Sequence, residues 1–213
     1  MAIAGKNGRI KVMSDAAAIP FAEEATTANV ARTEYSITNR TKRYWSREAP
    51  VVVETSPDGV SWGVVSGGFW ISYAGGKIVF RDAQPVDTQV RVSGEFVAVA
   101  IAVETREYSM SINNALVDVT VLEGDGWRRK LATIVDATGT LSGFYNVDNL
   151  LVDKILEGKA IVIEMDVDIT DNQGETLAVY GLINSHEMQS AIESAVTTSV
   201  GWESDGDILV EQK

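Results

Sequence analysis

Strict alternation of apolar and polar residues is the feature that most restricts how this chain can fold. In the stretch KAIVIEMDVDIT, residues 159–170, every second residue from Ile161 to Ile169 is apolar. A repeat of two residues places these side chains on one face of an extended chain, which is typical of a half-buried β-strand. Alternation recurs in NGRIKV, PVVVETSPDGVSW, FWISYAGGKIVF, TQVRVSGEFVAVAIAVE and ALVDVTVLEGDGW. The sequence therefore predicts a mainly β protein.

Turn signals separate these segments and indicate how the chain is organised. Ser-Pro-Asp-Gly at 56–59 predicts a turn, and the glycine pair at 75–76 predicts a hairpin. We expect one domain over residues 1–213, with a possible small β module inserted at about 50–100. The Ala/Thr-rich stretch at 14–28, which contains a proline, is expected to be a loop or arm.

One segment departs from the two-residue repeat and predicts an α-helix at about 147–157. In NVDNLLVDKILEGKA the apolar residues recur at helical spacing. Asn146 is a suitable N-cap, and Gly158 suits the position after the helix ends. We expect this amphipathic helix to pack against a sheet.

Residues suited to catalysis or metal binding are scarce. The chain has no cysteine and one histidine, His186, which lies in an alternating segment and is expected to be structural. No apolar run has the length of a membrane span, and the amino terminus lacks the pattern of a secretory signal. The sequence predicts no catalytic residue, no metal site and no cofactor.

The strand at 159–170 has an acidic outward face. Glu164, Asp166 and Asp168 follow one another there with no basic residue between them. Same-face neighbours about 7 Å apart repel by roughly 0.6 kcal/mol in water. A hard cation would need six or more oxygens around a point, whereas these carboxylates lie in a line.

Charge is distributed unevenly along a chain whose net charge is −12. Residues 153–213 contain 13 acidic and 3 basic residues, whereas residues 32–47 and 128–130 are basic. The acidic total argues against a protein that grips duplex DNA through a basic face. It permits a surface that DNA passes without binding.

The stretch VDVTVLEGDGWRRKLATIVDATGTLSGFY, residues 117–145, indicates a family. A strand ending in Asp-Val-Thr precedes Gly-Trp with a basic pair, and Gly-x-Leu-Ser-Gly-Phe-Tyr leads towards the predicted helix. An acidic hairpin and YGLINSHEMQSAIESAVTTSVGWESDGDI follow. This order resembles the tail tube proteins of long-tailed, non-contractile bacteriophages over about 105–213, and more loosely upstream.

The resemblance implies a fold, an assembly and a set of partners. Such proteins form a β-sandwich or barrel with a flanking helix, and they assemble as hexameric rings stacked into a hollow tube in the virion. The implied partners are other copies of the chain, a tape-measure protein, tail terminator and distal tail proteins, and double-stranded DNA in transit during ejection. Assembly would take place in the host cytoplasm, without a membrane and without enzymatic activity.

The resemblance also suggests roles for charged residues. Glu164, Asp166 and Asp168 are candidates to face the lumen, where carboxylates would repel DNA; alternatively, they only keep an exposed strand soluble. The basic stretch and the acidic carboxy-terminal third are candidate complementary patches around or between rings. The candidate residues for contacts between subunits are Arg40, Lys42, Arg43, Arg47, Trp127, Arg128 and Arg129.

Two other classes of function remain open at the level of sequence. One is a carbohydrate-binding or adhesin β-sandwich of a phage tail or surface structure, which would require exposed coplanar aromatic side chains. The other is a glycosidase, because two carboxylates at a suitable separation are sufficient for that chemistry. Trp62, Trp70 and Tyr73 would then be sugar platforms, although core packing is the more common role of such residues. Rings or tubes in solution would favour the tail tube, whereas a 23.0 kDa monomer with sugar affinity would favour the adhesin.

Overall fold

The computed structural model describes residues 8–13, 17–101, 105–118, 130–144, 156–167, 175–190 and 195–212. The predicted mainly β character is confirmed. Fourteen strands lie in these residues: β1 Gly8–Met13, β2 Ile19–Ala28, β3 Glu34–Ile37, β4 Val52–Ser56, β5 Gly63–Val64, β6 Phe69–Ser72, β7 Lys77–Phe80, β8 Gln89–Phe96, β9 Val99–Ile101, β10 Thr105–Asp118, β11 Lys130–Phe144, β12 Ile161–Val167, β13 Glu175–Gln189 and β14 Thr197–Gln212.

The strands form two seven-stranded sheets. The first sheet has the order β10-β11-β14-β13-β12-β1-β9, and the second has the order β5-β4-β8-β2-β3-β7-β6. The chain divides into two compact units. Unit 1 comprises Met1–Ala102, Ile161–Tyr180 and Gly206–Lys213, and unit 2 comprises Val103–Ala160 and Gly181–Asp205.

The second sheet lies in unit 1 and has its own apolar core. Phe21, Tyr35, Trp45, Ile78 and Val92 are among the buried side chains that pack there. The predicted glycine hairpin is confirmed, since β6 pairs with β7 in antiparallel register. Gly76 has a φ of 58°, and an added Cβ would lie 2.6 Å from the Arg43 carbonyl oxygen. Only glycine fits this turn without strain.

The prediction for residues 14–28 is wrong over most of its length. Residues 19–28 form β2, which pairs with β8 on one side and with β3 on the other. Its small and polar side chains hid the strand, because Phe21 alone is fully buried in it. Strands β4 to β8, at 52–96, belong to this same sheet, and a separate module at about 50–100 stays a prediction.

The predicted helix at 147–157 lies almost wholly outside the described residues, which begin again at Leu156. Leu156 and Glu157 are helical, and Gly158 follows with a φ of 65°. The described residues contain no complete α-helix, so the helix stays a prediction.

Unit 2 is built around a long hairpin of β10 and β11. Their antiparallel register runs from Thr105 opposite Gly143 to Asp118 opposite Lys130, with an irregularity between Asn114 and Leu116. Where β11 also pairs with β14, the packing is close: a Cβ added at Gly139 would lie 2.5 Å from the Trp202 ring. Gly139 therefore makes room for the buried indole of Trp202.

Candidate functional site

Strand β12, which carries the predicted acidic face, is buried on both faces. Ile161, Ile163 and Met165 are buried as expected, but Glu164 and Asp166 are only 2% and 7% exposed. The predicted exposure to water is therefore wrong for these two carboxylates, which removes the ground on which they were assigned to the lumen. Asp168 lies outside the described residues.

Glu164 is the centre of an ion-pair cluster. Lys11 of β1 stands directly opposite it in the antiparallel register and binds Oε1. Arg43 donates from Nη2 to Oε2 at 2.9 Å, and the Tyr44 hydroxyl donates to the same oxygen. One carboxylate thus has three donors, two of them cationic, and these compensate for its removal from water.

Asp166 is held in the same cluster. Its Oδ2 lies 3.1 Å from Lys11 Nζ, and its Oδ1 accepts a hydrogen bond of 2.6 Å from the Thr176 hydroxyl. Lys11 therefore bridges Glu164 and Asp166. The like-charge repulsion expected along this face is replaced by attraction to a shared cation.

Two of the predicted contact residues pair with the acidic carboxy-terminal third inside the same chain. Arg43 Nη1 lies 3.0 Å from Glu211 Oε2, and Arg40 Nη2 lies 2.6 Å from Glu211 Oε1. The predicted complementarity exists, but the structure places it within the subunit. A contribution of Arg40 and Arg43 to contacts between subunits stays a prediction.

The other predicted contact residues have different surroundings. Lys42 pairs with Glu24, and the Arg47 guanidinium lies 5.8 and 5.9 Å from the ring centroids of Tyr73 and Tyr180. Their contribution to subunit contacts stays a prediction. Trp127, Arg128 and Arg129 lie outside the described residues.

The pKa values in the cluster reflect competition between burial and pairing. Burial by itself would raise the pKa of Glu164, but hydrogen bonds from Lys11, Tyr44 and Arg43 outweigh it and lower that pKa. Burial would lower the pKa of Lys11, but its bonds to the two carboxylates raise it. Burial, and then the bond to Glu164, raise the pKa of Tyr44. These groups therefore keep one charge state near neutral pH, which suits a role in stabilising the fold rather than in transferring protons.

Three partners in this cluster were missed by sequence reasoning: Lys11, Tyr44 and Thr176. One signal was available, because Arg9 and Lys11 alternate with apolar residues at the same two-residue period as the acidic strand. A short strand with a basic face is a natural neighbour for a strand with an acidic face.

Other candidate groups for catalysis or metal binding are few among the described residues. His186 accepts or donates a hydrogen bond of 2.8 Å with the Thr198 hydroxyl, in keeping with the structural role expected for it. The described part of the chain holds no group of three metal-ligating side chains. Among the same residues, no helix has the length and apolar character required to cross a membrane.

A second candidate site is the far end of the β10–β11 hairpin. The β11–β14 ladder begins at Thr138, so residues 130–136 of β11 pair only with β10 in the described structure. We call this two-stranded part, residues 113–118 with 130–136, the ribbon. Its exposed apolar side chains are Leu116, Val117, Leu131 and Val135, each 50–56% exposed.

A ribbon of this kind is poorly stabilised by itself. An isolated two-stranded hairpin is marginal in water, and clustered apolar side chains on a surface usually mark a contact. In addition, β10 stands at the end of the strand order of its sheet, and none of the other described strands pairs with its outer edge.

Part of the chain matches a family of known proteins. The family model described as "Phage tail tube protein" matches residues 86–210, which is more than half of the chain. The comparison with curated proteins gives no match.

Three solved structures show a partial likeness. The tail of an empty gene transfer agent particle, refined with C6 symmetry, is 21% identical with a TM-score of 0.44, over 54% of this chain and 87% of that one. The virion of a native gene transfer agent particle is 22% identical with a TM-score of 0.43, over 53% of this chain and 88% of that one. The SPP1 tail tube is 15% identical with a TM-score of 0.44, over 55% of this chain and 69% of that one.

Proposed function

Because the chain belongs to the phage tail tube protein family, we propose that it assembles into six-membered rings that stack as the tail tube. Tail tube proteins are structural components of the phage tail, so this chain is a structural protein and not an enzyme. The proposed tube encloses a passage through which double-stranded DNA leaves the virion.

The observation that carries the ring proposal is the apolar ribbon. Its four exposed apolar side chains lie on a hairpin end that pairs with no third strand in the described structure. A second copy of the chain would remove this surface from water, at about 25 cal/mol for each Å² covered. Assembly therefore supplies the stabilisation that the ribbon lacks in one subunit.

Ring closure requires two unlike surfaces that meet repeatedly. The open edge of β10 offers backbone donors and acceptors to a neighbouring chain. A head-to-tail contact of this kind generates a closed ring when the rotation between copies is one sixth of a turn. Closure also removes the exposed edge, which would otherwise favour uncontrolled aggregation.

Passage of DNA is supported by the net charge of −12 for each subunit. A wall that binds phosphates would slow the duplex, whereas an acidic wall repels it. Because Glu164 and Asp166 are buried with cationic partners, the repulsive wall has to come from other acidic residues. Asp168 remains a candidate for it.

The remaining parts of the proposal follow from family membership. We expect a tape-measure protein to fill the tube before ejection, and terminator and distal tail proteins to close its ends. Assembly is expected in the host cytoplasm. The amphipathic helix at 147–157 belongs to the same proposal, and its packing against a sheet would help to complete unit 2.

Sedimentation velocity and negative-stain microscopy of the purified chain test assembly. Rings or tubes with six-fold symmetry are expected as concentration rises. Val135→Asp, which places a charge on the ribbon, should raise the concentration needed for assembly at least about tenfold, since about 1.4 kcal/mol of lost contact is sufficient. The monomer should remain folded because Val135 is already 54% exposed.

Ser111→Asp is the matched control, because it adds the same charge at an exposed polar position of β10 that lies opposite Thr138, outside the ribbon. It should assemble at nearly the unsubstituted concentration. A chain that stays monomeric at every concentration, including in the presence of tail-tip complexes, would contradict the ring proposal. Equal assembly by the two variants would show that the ribbon is not the contact.

A further inference from the structure

A polar pocket on the second sheet has no part in the proposed assembly. It has a volume of about 680 Å³ and opens between strands β2, β3 and β8 and the loops that precede β5 and β8. Every residue that lines it belongs to unit 1. A pocket of this size is within the range that holds small ligands in proteins.

An aromatic side chain is held in a fixed position at the pocket. The Arg91 guanidinium lies 4.3 Å from the ring centroid of Trp62, over one face of the indole. Arg91 is itself fixed by two hydrogen bonds to Glu54, of 2.9 and 3.2 Å, and by an ion pair of 3.0 Å with Glu23. Trp62 is thus pre-oriented, which lowers the entropy lost when a ligand packs on it.

A buried hydroxyl without a partner lies in the same wall. Tyr35 lines the pocket and is 2% exposed, and its ring packs edge-on against Phe80 at 5.5 Å. Its hydroxyl makes no hydrogen bond with any of the described residues. A buried hydroxyl in this state costs stability. Because this oxygen has almost no exposed surface, Tyr35 shapes the wall of the pocket without offering its hydroxyl to a ligand.

Backbone strain is concentrated at this pocket. Within the described chain, only two residues other than glycine have a positive φ, Glu23 at 53° and Arg32 at 54°, and both line the pocket. Arg32 is held by a hydrogen bond of 3.2 Å to the Pro85 carbonyl and by one of 3.0 Å from Gln84 to its own carbonyl. Strained backbone that the surroundings hold in place is concentrated at binding sites in proteins.

The charged groups of the pocket are largely compensated by their neighbours. Arg91 is neutralised by Glu54 and Glu23, and the Asp58 carboxylate accepts hydrogen bonds from Ser56, Val60 and Ser61. Arg32 and Asp87, which also line the pocket, add one positive and one negative charge, so the lining does not favour a ligand of either sign. A neutral ligand suits them better, because polar groups can share hydrogen bonds with it without desolvating a charge.

We propose that this pocket binds a neutral saccharide. The indole of Trp62 offers an apolar surface to the C–H face of a sugar ring, and the side chains of Gln89 and Arg32 offer hydrogen bonds to its hydroxyl groups. Of the aromatic residues considered as sugar platforms from sequence, Trp62 lies at the pocket. Trp70 is 58% exposed on β6 and is not part of the lining.

Ligand-observed NMR and calorimetry on the full chain test this site independently of assembly. Chitotriose is a neutral trisaccharide of N-acetylated hexoses, and maltotriose is one of unmodified hexoses. Trigalacturonate, which is anionic, serves as the comparison. At least one neutral trisaccharide should bind with a millimolar or tighter dissociation constant, and more tightly than trigalacturonate. Absence of binding by both neutral sugars, or stronger binding of the anion, would overturn the proposal.

Two variants connect binding to the pocket. Gln89→Ala removes hydrogen-bonding groups at an exposed position of the lining, so the melting temperature should change little while affinity falls about 5-fold. Trp62→Ala should weaken binding at least about tenfold, whereas Trp70→Ala, the matched control, should not. Unchanged affinity in Gln89→Ala, or equal losses in the two tryptophan variants, would overturn the assignment.

Discussion

Strand β12 buries polar side chains, whereas the β10–β11 ribbon exposes apolar ones. On β12, the carboxylates of Glu164 and Asp166 are buried and paired with cations from distant parts of the chain. On the ribbon, Leu131 and Val135 are more than half exposed. The acidic face is therefore completed inside one subunit, whereas the exposed apolar side chains of the ribbon are covered only by a second copy in our proposal.

The largest effect is expected from Glu164→Gln, which removes the charge at the centre of the cluster. Lys11 and Arg43 would keep their positive charges with only Asp166 and Glu211 left to compensate their burial. The free energy of unfolding, measured by urea denaturation, should fall by about 3 kcal/mol. Glu187→Gln, at an exposed position of β13, should change it by less than about 0.5 kcal/mol. Similar changes in the two variants would remove the contrast between β12 and the surface.

A smaller loss is expected where the hairpin is densely packed against the sheet. Gly139→Ala would place a methyl group 2.5 Å from the Trp202 ring and 2.3 Å from the Ser109 carbonyl oxygen. Relief of this overlap should cost about 2 kcal/mol in urea denaturation. Gly67→Ala, where no atom lies within 4 Å of the new Cβ, is the control. Equal stability of the two variants would show that β11 and β14 are loosely packed.

Acid should weaken the cluster through Glu164. Its pKa is lowered in the folded chain from the usual 4.5, because its hydrogen bonds outweigh burial. Its contribution is therefore complete above about pH 5 and is lost as the pH falls through the lowered value. Chemical denaturation at a series of pH values should show a shallower loss below pH 4.5 in Glu164→Gln. An equal loss of unfolding free energy below pH 4.5 in the variant and the unsubstituted chain would show that the acid sensitivity comes from other groups.

The smallest effect on the monomer is expected on the ribbon. Leu131→Ala should change the free energy of unfolding by about 0.5 kcal/mol or less, because the side chain is 56% exposed. Leu141→Ala, on the same strand but 3% exposed, should cost about 2–5 kcal/mol. A large loss for Leu131→Ala in the monomer would mean that the ribbon is already covered within one subunit.

Sequence reasoning predicted the elements better than their surroundings. Alternation predicted β1 and β12, and the glycine pair predicted the β6–β7 hairpin, because these signals are local. The partners of Glu164 could not be read in this way, since Lys11 and Arg43 are 153 and 121 residues away. A period of two residues separates the faces of a strand, but it does not say whether the polar face meets water or a cation. Strand β2 was missed because few of its side chains are buried, so its sequence shows no alternation of apolar and polar residues.

Hydrogen–deuterium exchange of monomer and assembled tube tests the central claim most directly. The account predicts that backbone amides of the ribbon, residues 113–118 and 130–136, exchange at least about tenfold more slowly once the chain assembles. Amides of β12, at 161–167, should already be protected in the monomer and should change little. An assembled tube in which the ribbon exchanges as fast as in the monomer would contradict the account.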